Sequence, residues 1–230
     1  MFSVSLARGL VTAGRSTLSL VAAVAGVAAL VLLGGTSGVD AADAASVAST
    51  QHVLVKPVDS AGNPADGYTV RKIDDFKNTK VDCYGYAKGV GHDVVSCYPT
   101  ALYLHSCFPS RHHTVLCLRD ARSTSLVRAK YSEIKRQGTA HGRPVVDLDL
   151  AAKKGVQTCS IRFGGAWGQL PTHPNWVGFY SCERGSVYGP PDGNGIDESG
   201  DPWTVKLWKS GTDHTVQTKD VAVAYTIAHA

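Results

Sequence analysis

Methionine and charge are both scarce in this chain. Of its 230 residues Met1 is the only methionine, and 18% are Asp, Glu, Lys or Arg, with a net charge of only +4. Beyond residue 41 no apolar stripe of helical period runs longer than three turns, which excludes a helical bundle. The chain has no Gly-x-Ser-x-Gly elbow and no His-x-His or His-x3-His pair among its nine histidines. The local signatures of a serine hydrolase and of a zinc site are therefore missing. Arg119, Arg122, Arg128, Lys130, Lys135 and Arg136 are scattered rather than interleaved with aromatics, so no nucleic-acid partner is expected.

What is present starts at the N-terminus. Arg8 and Arg15 precede a nearly unbroken apolar run from Leu18 to Leu33, closed by Gly34 and Gly35. Val39-Asp40-Ala41 or Ala42-Asp43-Ala44 offers an Ala-x-Ala-like cleavage site, so residues 1–41 read as a secretory signal peptide. The alternative is an uncleaved membrane anchor over residues 17–35, which is then the protein's only contact with a membrane. Removing 1–41 takes away Arg8, Arg15 and Asp40 and leaves +3.

All six cysteines lie beyond residue 80: Cys83, Cys97, Cys107, Cys117, Cys159 and Cys182. An even number in an exported chain points to three disulfides and an oxidising compartment. The expected fold is mostly β, with small disulfide-stapled antiparallel sheets and at most one or two short helices. Residues 42–50 read as a disordered linker, and 51–79 as an N-terminal hairpin with its connector. The first cysteine block spans 80–131, with a short helix expected from Pro99 to Leu104 and a hairpin from Thr114 to Tyr131. Residues 132–156 read as a connector holding one alternating segment, Val145-Val146-Asp147-Leu148-Asp149-Leu150. The second cysteine block fills 157–230.

The second block repeats the plan of the first. Val177-Gly178-Phe179-Tyr180-Ser181-Cys182 answers Asp93-Val94-Val95-Ser96-Cys97, and Thr204-Val205 with a turn at 211–213 answers Thr114-Val115 with its hairpin. Two readings are open: related halves, or the ordinary likeness of β-hairpins. Related halves make Cys83–Cys97 and Cys159–Cys182 equivalent bonds and leave Cys107–Cys117 as an addition.

Several stretches could carry chemistry. Val81-Asp82-Cys83-Tyr84-Gly85 resembles the Asp-Cys-Ser-Gly motif of the cysteine endopeptidases that cut cell-wall peptides. Trp176-Val177-Gly178-Phe179-Tyr180 is similar to their His-Val-Gly-Ile-Tyr strand. The resemblance implies a cell-wall peptide hydrolase with Cys83 as nucleophile and His173 as base. Tyr84 replaces the family's serine, and Trp176 stands where its histidine belongs. Residues 173–191 also resemble uncharacterised exported proteins of actinobacteria, which implies an envelope or secreted location and no activity.

Asp192-Gly193-Asn194-Gly195 looks like the middle of a calcium loop, so Asp192, Asn194, Asp197 and Asp201 are the candidate ligands for a hard cation. With Gly195 at the invariant glycine, Pro190 occupies the first ligand position and Asp201 the bidentate one. His112-His113, if on a strand, point to opposite faces. The strongest signal is aromatic: Trp167, Trp176, Trp203 and Trp208 fall within 42 residues, three of them in glycine and proline turns. Aromatic faces stack on sugar rings and peptides. Trp167, Trp176, Tyr188 and Trp203 are the candidate ligand face, with Trp208 and Phe179 assigned to the core. The sequence thus points to a secreted, non-catalytic protein binding a cell-envelope glycan or another extracellular protein. The alternatives are the Cys83/His173 hydrolase and a secreted protease inhibitor presenting residues 108–116.

Overall fold

The computed structural model describes residues 46–71, 80–85, 94–98, 104–136, 145–162, 167–209 and 215–228. Residues 1–45, with the cleavage sites and the alternative anchor, lie outside them; so do 99–103 and the turn at 211–213. Among the described residues every regular element is a strand, and no helix is long and apolar enough to cross a membrane.

The N-terminal segment supplies β1 (Gln51–Val55) and β2 (Thr69–Arg71). The first sheet is then a meander of β3 (Lys80–Gly85), β4 (Val95–Tyr98), β5 (Leu104–Ser110), β6 (Thr114–Leu118) and β7 (Ser125–Arg136). Each strand pairs antiparallel with the next. Five strands that alternate in direction leave the first and last pointing the same way, so the sheet can close only through a parallel pair. It does: β7, 12 residues long, pairs antiparallel with β6 over its first half and parallel with β3 over its second.

The second sheet contains β8 (Val145–Ala151), β9 (Val156–Ile161), β10 (Val177–Cys182), β11 (Gly185–Gly189), β12 (Ile196–Asp197), β13 (Thr204–Trp208) and β14 (Val216–Ile227). Its cycle runs β8-β9-β10-β11-β13-β14 and back to β8, with β12 flanking β13. Six strands close antiparallel throughout. β14 also has 12 residues, pairing with β13 first and β8 later.

All three disulfides are local, Cys83–Cys97, Cys107–Cys117 and Cys159–Cys182, and each joins two strands of one hairpin at directly opposed positions. They enclose two different cores. Inside the first sheet, Cys83, Cys97, Cys107 and Cys117 pack with Val81, Val95, Leu104, Val115, Val127 and Ala129. The larger core joins both sheets, with Phe108, Leu116, Leu118 and Leu126 of the first packed against Leu148, Ile161, Tyr180, Val187, Leu207 and Val221 of the second. Strand β6 serves both cores because side chains alternate across a strand. Val115 and Cys117 face the sulfur core, and Leu116 and Leu118 face the second sheet. Each fully buried Val or Leu contributes roughly 1.5–3 kcal/mol.

Five expectations are corrected. β1 and β2 form no hairpin: β1 pairs parallel with β14 and β2 parallel with β7, so the segment straps one strand onto each sheet. Of the expected linker at 42–50, the described part is held in place, since Thr50 is buried with its Oγ1 donating to the Val221 carbonyl at 2.7 Å. Leu104 and His105, expected on or beside a short helix, belong to β5. The connector at 132–156 begins as strand, since β7 runs on to Arg136, and its alternating segment is β8, buried at all seven positions. His112 and His113 sit in the β5–β6 turn with φ of 57° and 52°, not on a strand. Left-handed backbone costs an L residue about 1–2 kcal/mol, so this turn is made in a conformation glycine would take more readily.

Candidate binding groove

The second sheet carries an open groove between β10, the end of β11 and β13. Its far wall is the connection from β11 to β12, residues 190–195. Pro190 starts a turn in which the Gly193 N–H donates to the Pro190 carbonyl at 3.0 Å. Gly195 then takes a φ of 80°, and a Cβ there would stand 2.8–2.9 Å from three side-chain atoms of Phe179. Only glycine lets this turn fold down on that ring. Asn194 Oδ1 accepts the Ile196 N–H at 2.9 Å, steering the chain into β12, where Ile196 pairs with Val205 and Asp197 with Thr204.

The resulting groove encloses about 800 Å³ including its open mouth. Trp176 and Tyr188 line it together with Pro190, Asp192, Asn194, Ile196, Asp197, Thr204 and Lys206. The Trp176 indole is half-buried and tilted against the His173 ring, with centroids 4.0 Å apart. Tyr188 is buried and donates its hydroxyl to the Gly168 carbonyl at 2.8 Å; burial pushes its pKa up, which keeps the phenol protonated. An apolar floor with a few convergent polar groups is the usual composition of a ligand site.

The structure separates the other candidates from this groove. Trp167 lies over Gly178, with Arg162 4.6 Å above its ring and Tyr188 edge-on at 6.0 Å. Trp203 packs against the main core and its ring meets that of His52 at 4.4 Å, while its backbone N–H donates to Thr50 Oγ1 at 2.8 Å. It is half-buried against the core and does not line the groove. Phe179 also packs on the core, as expected. Trp208 is half-exposed and edge-on to Tyr188 at 5.7 Å. Nothing in the sequence singled out Thr204 and Lys206. The signal was the alternation of β13, where Val205 and Leu207 are buried and Lys206 is exposed.

The proposed cation ligands do not converge. Asn194 is used by Ile196 and Glu198, and Asp197 Oδ1 accepts both the backbone N–H and the hydroxyl of Ser199, which holds its carboxyl below the ordinary range. Asp201 Oδ1 instead accepts the Thr50 N–H at 2.8 Å, in the anchoring of the N-terminal strap. Among the described residues the only trio of His, Cys, Asp or Glu ligand atoms close enough to share a metal is the sulfurs of Cys97, Cys107 and Cys117, all in disulfides. The hydrolase reading fails at its nucleophile, because Cys83 is buried and bonded to Cys97. A thiolate is required for that chemistry. Of the inhibitor loop at 108–116, Phe108 and Thr114, Val115 and Leu116 are buried, leaving mainly the tip at 111–113 exposed.

A second polar cluster joins the two sheets. Asp147 and Asp149 of β8 are buried and face the β6–β7 turn. Asp147 Oδ2 accepts the Ala121 N–H at 2.6 Å, and Arg122 Nε donates to Asp149 Oδ1 at 2.8 Å. The Tyr225 hydroxyl donates to Asp149 Oδ2 at 3.0 Å, with the guanidinium 4.8 Å from that ring. Burial pushes the Asp147 carboxyl up to about 6, against the hydrogen bonds from Ser160 and Ala121 and the charge of Arg122. His105, lining a small cavity beside it, is pushed down to about 4 by burial and by Arg162. The cluster is a joint between sheets rather than an open site.

No family model, curated protein or solved structure matches the chain.

Proposed function

We propose that this chain is an extracellular, non-catalytic binding protein that takes a cell-envelope glycan into the groove beside Trp176. The observation that supports it is the pairing of a half-buried indole with a rim of side chains that hydrogen-bond sugar hydroxyls, Asp192, Asn194, Thr204 and Lys206. A sugar ring stacks its C–H face on an indole while its hydroxyls need donors and acceptors at the edge. Three disulfides suit an oxidising environment, and the apolar leader at 1–41 suits export to one.

The test is co-sedimentation of the oxidised protein with purified bacterial cell walls. The wild type is expected to pellet, Trp176→Ala to stay in the supernatant with an unchanged melting temperature, and Trp203→Ala to lose stability instead. If the wild type does not pellet, the glycan reading fails.

A further inference from the structure

The outer face of the first sheet holds three cations that form no ion pair among the described residues. Lys80 of β3 and Lys130 of β7 are direct register partners, and Arg128 lies two residues earlier on the same face of β7. All three are exposed, and among the described residues none makes an ion pair. Like charges directly opposed on a sheet are destabilising. Of the acids on these two strands, Asp82 accepts from the Ser132 hydroxyl at 3.2 Å and Glu133 pairs with Lys135 at 2.9 Å, so neither forms an ion pair with the three cations.

A second cost sits at the same corner. Thr114, the partner of Lys130 on the other edge of β7, ends the turn made by Arg111, His112 and His113. Arg111 is within the electrostatic reach of Asp59. His112 and His113 are exposed, and both hold left-handed backbone. The His113 carbonyl accepts the Tyr131 N–H at 3.1 Å and its ring lies 5.7 Å from Tyr131, so the turn is fixed beside the lysines. An opposed lysine pair and two L residues in glycine-like backbone both work against stability, and neither is part of a core. Unfavourable features that persist together mark function more often than chance.

We infer that this corner is a binding surface for a linear polyanion outside the cell, a polymer carrying a phosphodiester or carboxylate group on successive repeats. Alternate residues of a strand stand roughly 7 Å apart and neighbouring strands about 5 Å apart, so the three cations present a spread of charge rather than a pocket for one small anion. An anionic membrane fits less well, because the exposed large apolar residues, Leu54, Val156 and Val177, belong to the other sheet. The surface is separate from the Trp176 groove, so either can fail alone.

The experiment measures binding of the oxidised full chain to polygalacturonate and to poly(glycerol phosphate), with neutral dextran, anionic lipid vesicles and duplex DNA as the other arms. At least one anionic polymer should bind at low salt, weakening roughly twentyfold between 50 and 200 mM as three anions are released from their counterions. Lys80→Gln with Lys130→Gln should weaken binding about tenfold or more, and Arg128→Gln alone by a few-fold. His112→Gly and His113→Gly should raise the melting temperature while weakening binding, a combination that a purely structural turn would not give. Binding to neither polymer, equal binding by the lysine variant, or preference for vesicles or DNA would overturn the inference.

Discussion

The two sheets solve one topological problem with different parity. Each is a meander closed by a 12-residue last strand, and each takes one parallel strand from the N-terminal strap. Matching β3, β4, β5, β6 and β7 with β9, β10, β11, β13 and β14 places Cys83–Cys97 and Cys159–Cys182 on corresponding hairpins. The second cycle then differs by one strand, β8, inserted between β14 and β9. That strand turns an odd meander with a parallel seam into an even one that is antiparallel throughout. It also widens the ring. Four of the ten residues buried in the first sheet's own core are cysteines, whereas the second sheet brings Tyr180 and Leu207 to the core that joins the sheets and carries an outer groove.

The sharpest way to break this comparison is to remove one disulfide from each sheet. Chain entropy alone ranks Cys159–Cys182 higher: its loop of 23 residues is worth about 3.4 kcal/mol, against about 2.7 for the 10-residue loop of Cys107–Cys117. Packing ranks them the other way. Four of the ten residues in the first core are cysteines, and the sulfurs lost from Cys107 and Cys117 would leave voids that Val and Ala neighbours cannot fill. Since the entropic difference is below about 1 kcal/mol, packing should win. Cys107→Ala with Cys117→Ala is expected to cost about 5 kcal/mol, and Cys159→Ala with Cys182→Ala about 3. Urea unfolding checks both. Equal losses would mean that the sulfur core packs no more tightly than the other.

The joint between the sheets gives the next largest effect, and it depends on pH. Asp147 has its folded pKa raised from 3.8 to about 6, mainly by burial. A raised pKa means that the folded state binds the proton more tightly, so this group's contribution is complete below about pH 3.8 and is lost as pH rises through 6. The shift corresponds to about 3 kcal/mol. Asp59 and Asp197 have lowered values, from hydrogen bonds to their carboxylates, and run in the opposite sense. Relative to Asp147→Asn, which keeps an acceptor for the Ala121 N–H, the wild type should therefore gain stability from pH 7 to pH 4.5. Parallel pH profiles for the two proteins would show that the carboxyl is not held in the environment described.

Much of the fold was legible because disulfides and short alternating strands are local signals. The Thr114 to Tyr131 hairpin and the β character came from alternation, and the three bonds from reading the second cysteine block as a repeat of the first. The errors share one physical origin. β1 and β2 take their partners from far along the chain, and a pairing of Gln51 with Val223 leaves no mark on either neighbourhood. The alternation of β8 was legible, but the burial of Asp147 and Asp149 was not, because the groups that hydrogen-bond them, Ala121, Arg122 and Tyr225, lie far along the chain. Within the candidate site, Trp176 and Tyr188 were visible as aromatics near turns. Trp203 carried the same signal but packs against the core outside the groove, beside Thr50 and His52 of the strap.

The smallest effect concerns how each sheet builds a left-handed turn. The first places His112 and His113 there, and the second places Gly195. Gly195→Ala would put a side chain at φ 80° and 2.8–2.9 Å from Phe179, whose ring is wedged against the core, so the 190–195 wall must lift. The expected loss is about 2 kcal/mol, part backbone and part overlap. Gly193→Ala, two residues earlier, has its nearest neighbour outside the adjacent residues at 3.4 Å and no positive φ, so it should stay within about 0.5 kcal/mol of the wild type. Tryptophan fluorescence reports the difference locally, since Trp176 lines the same groove. If Gly195→Ala changes neither stability nor the Trp176 environment, the wall is loose, and the groove would have to form around its ligand rather than await it.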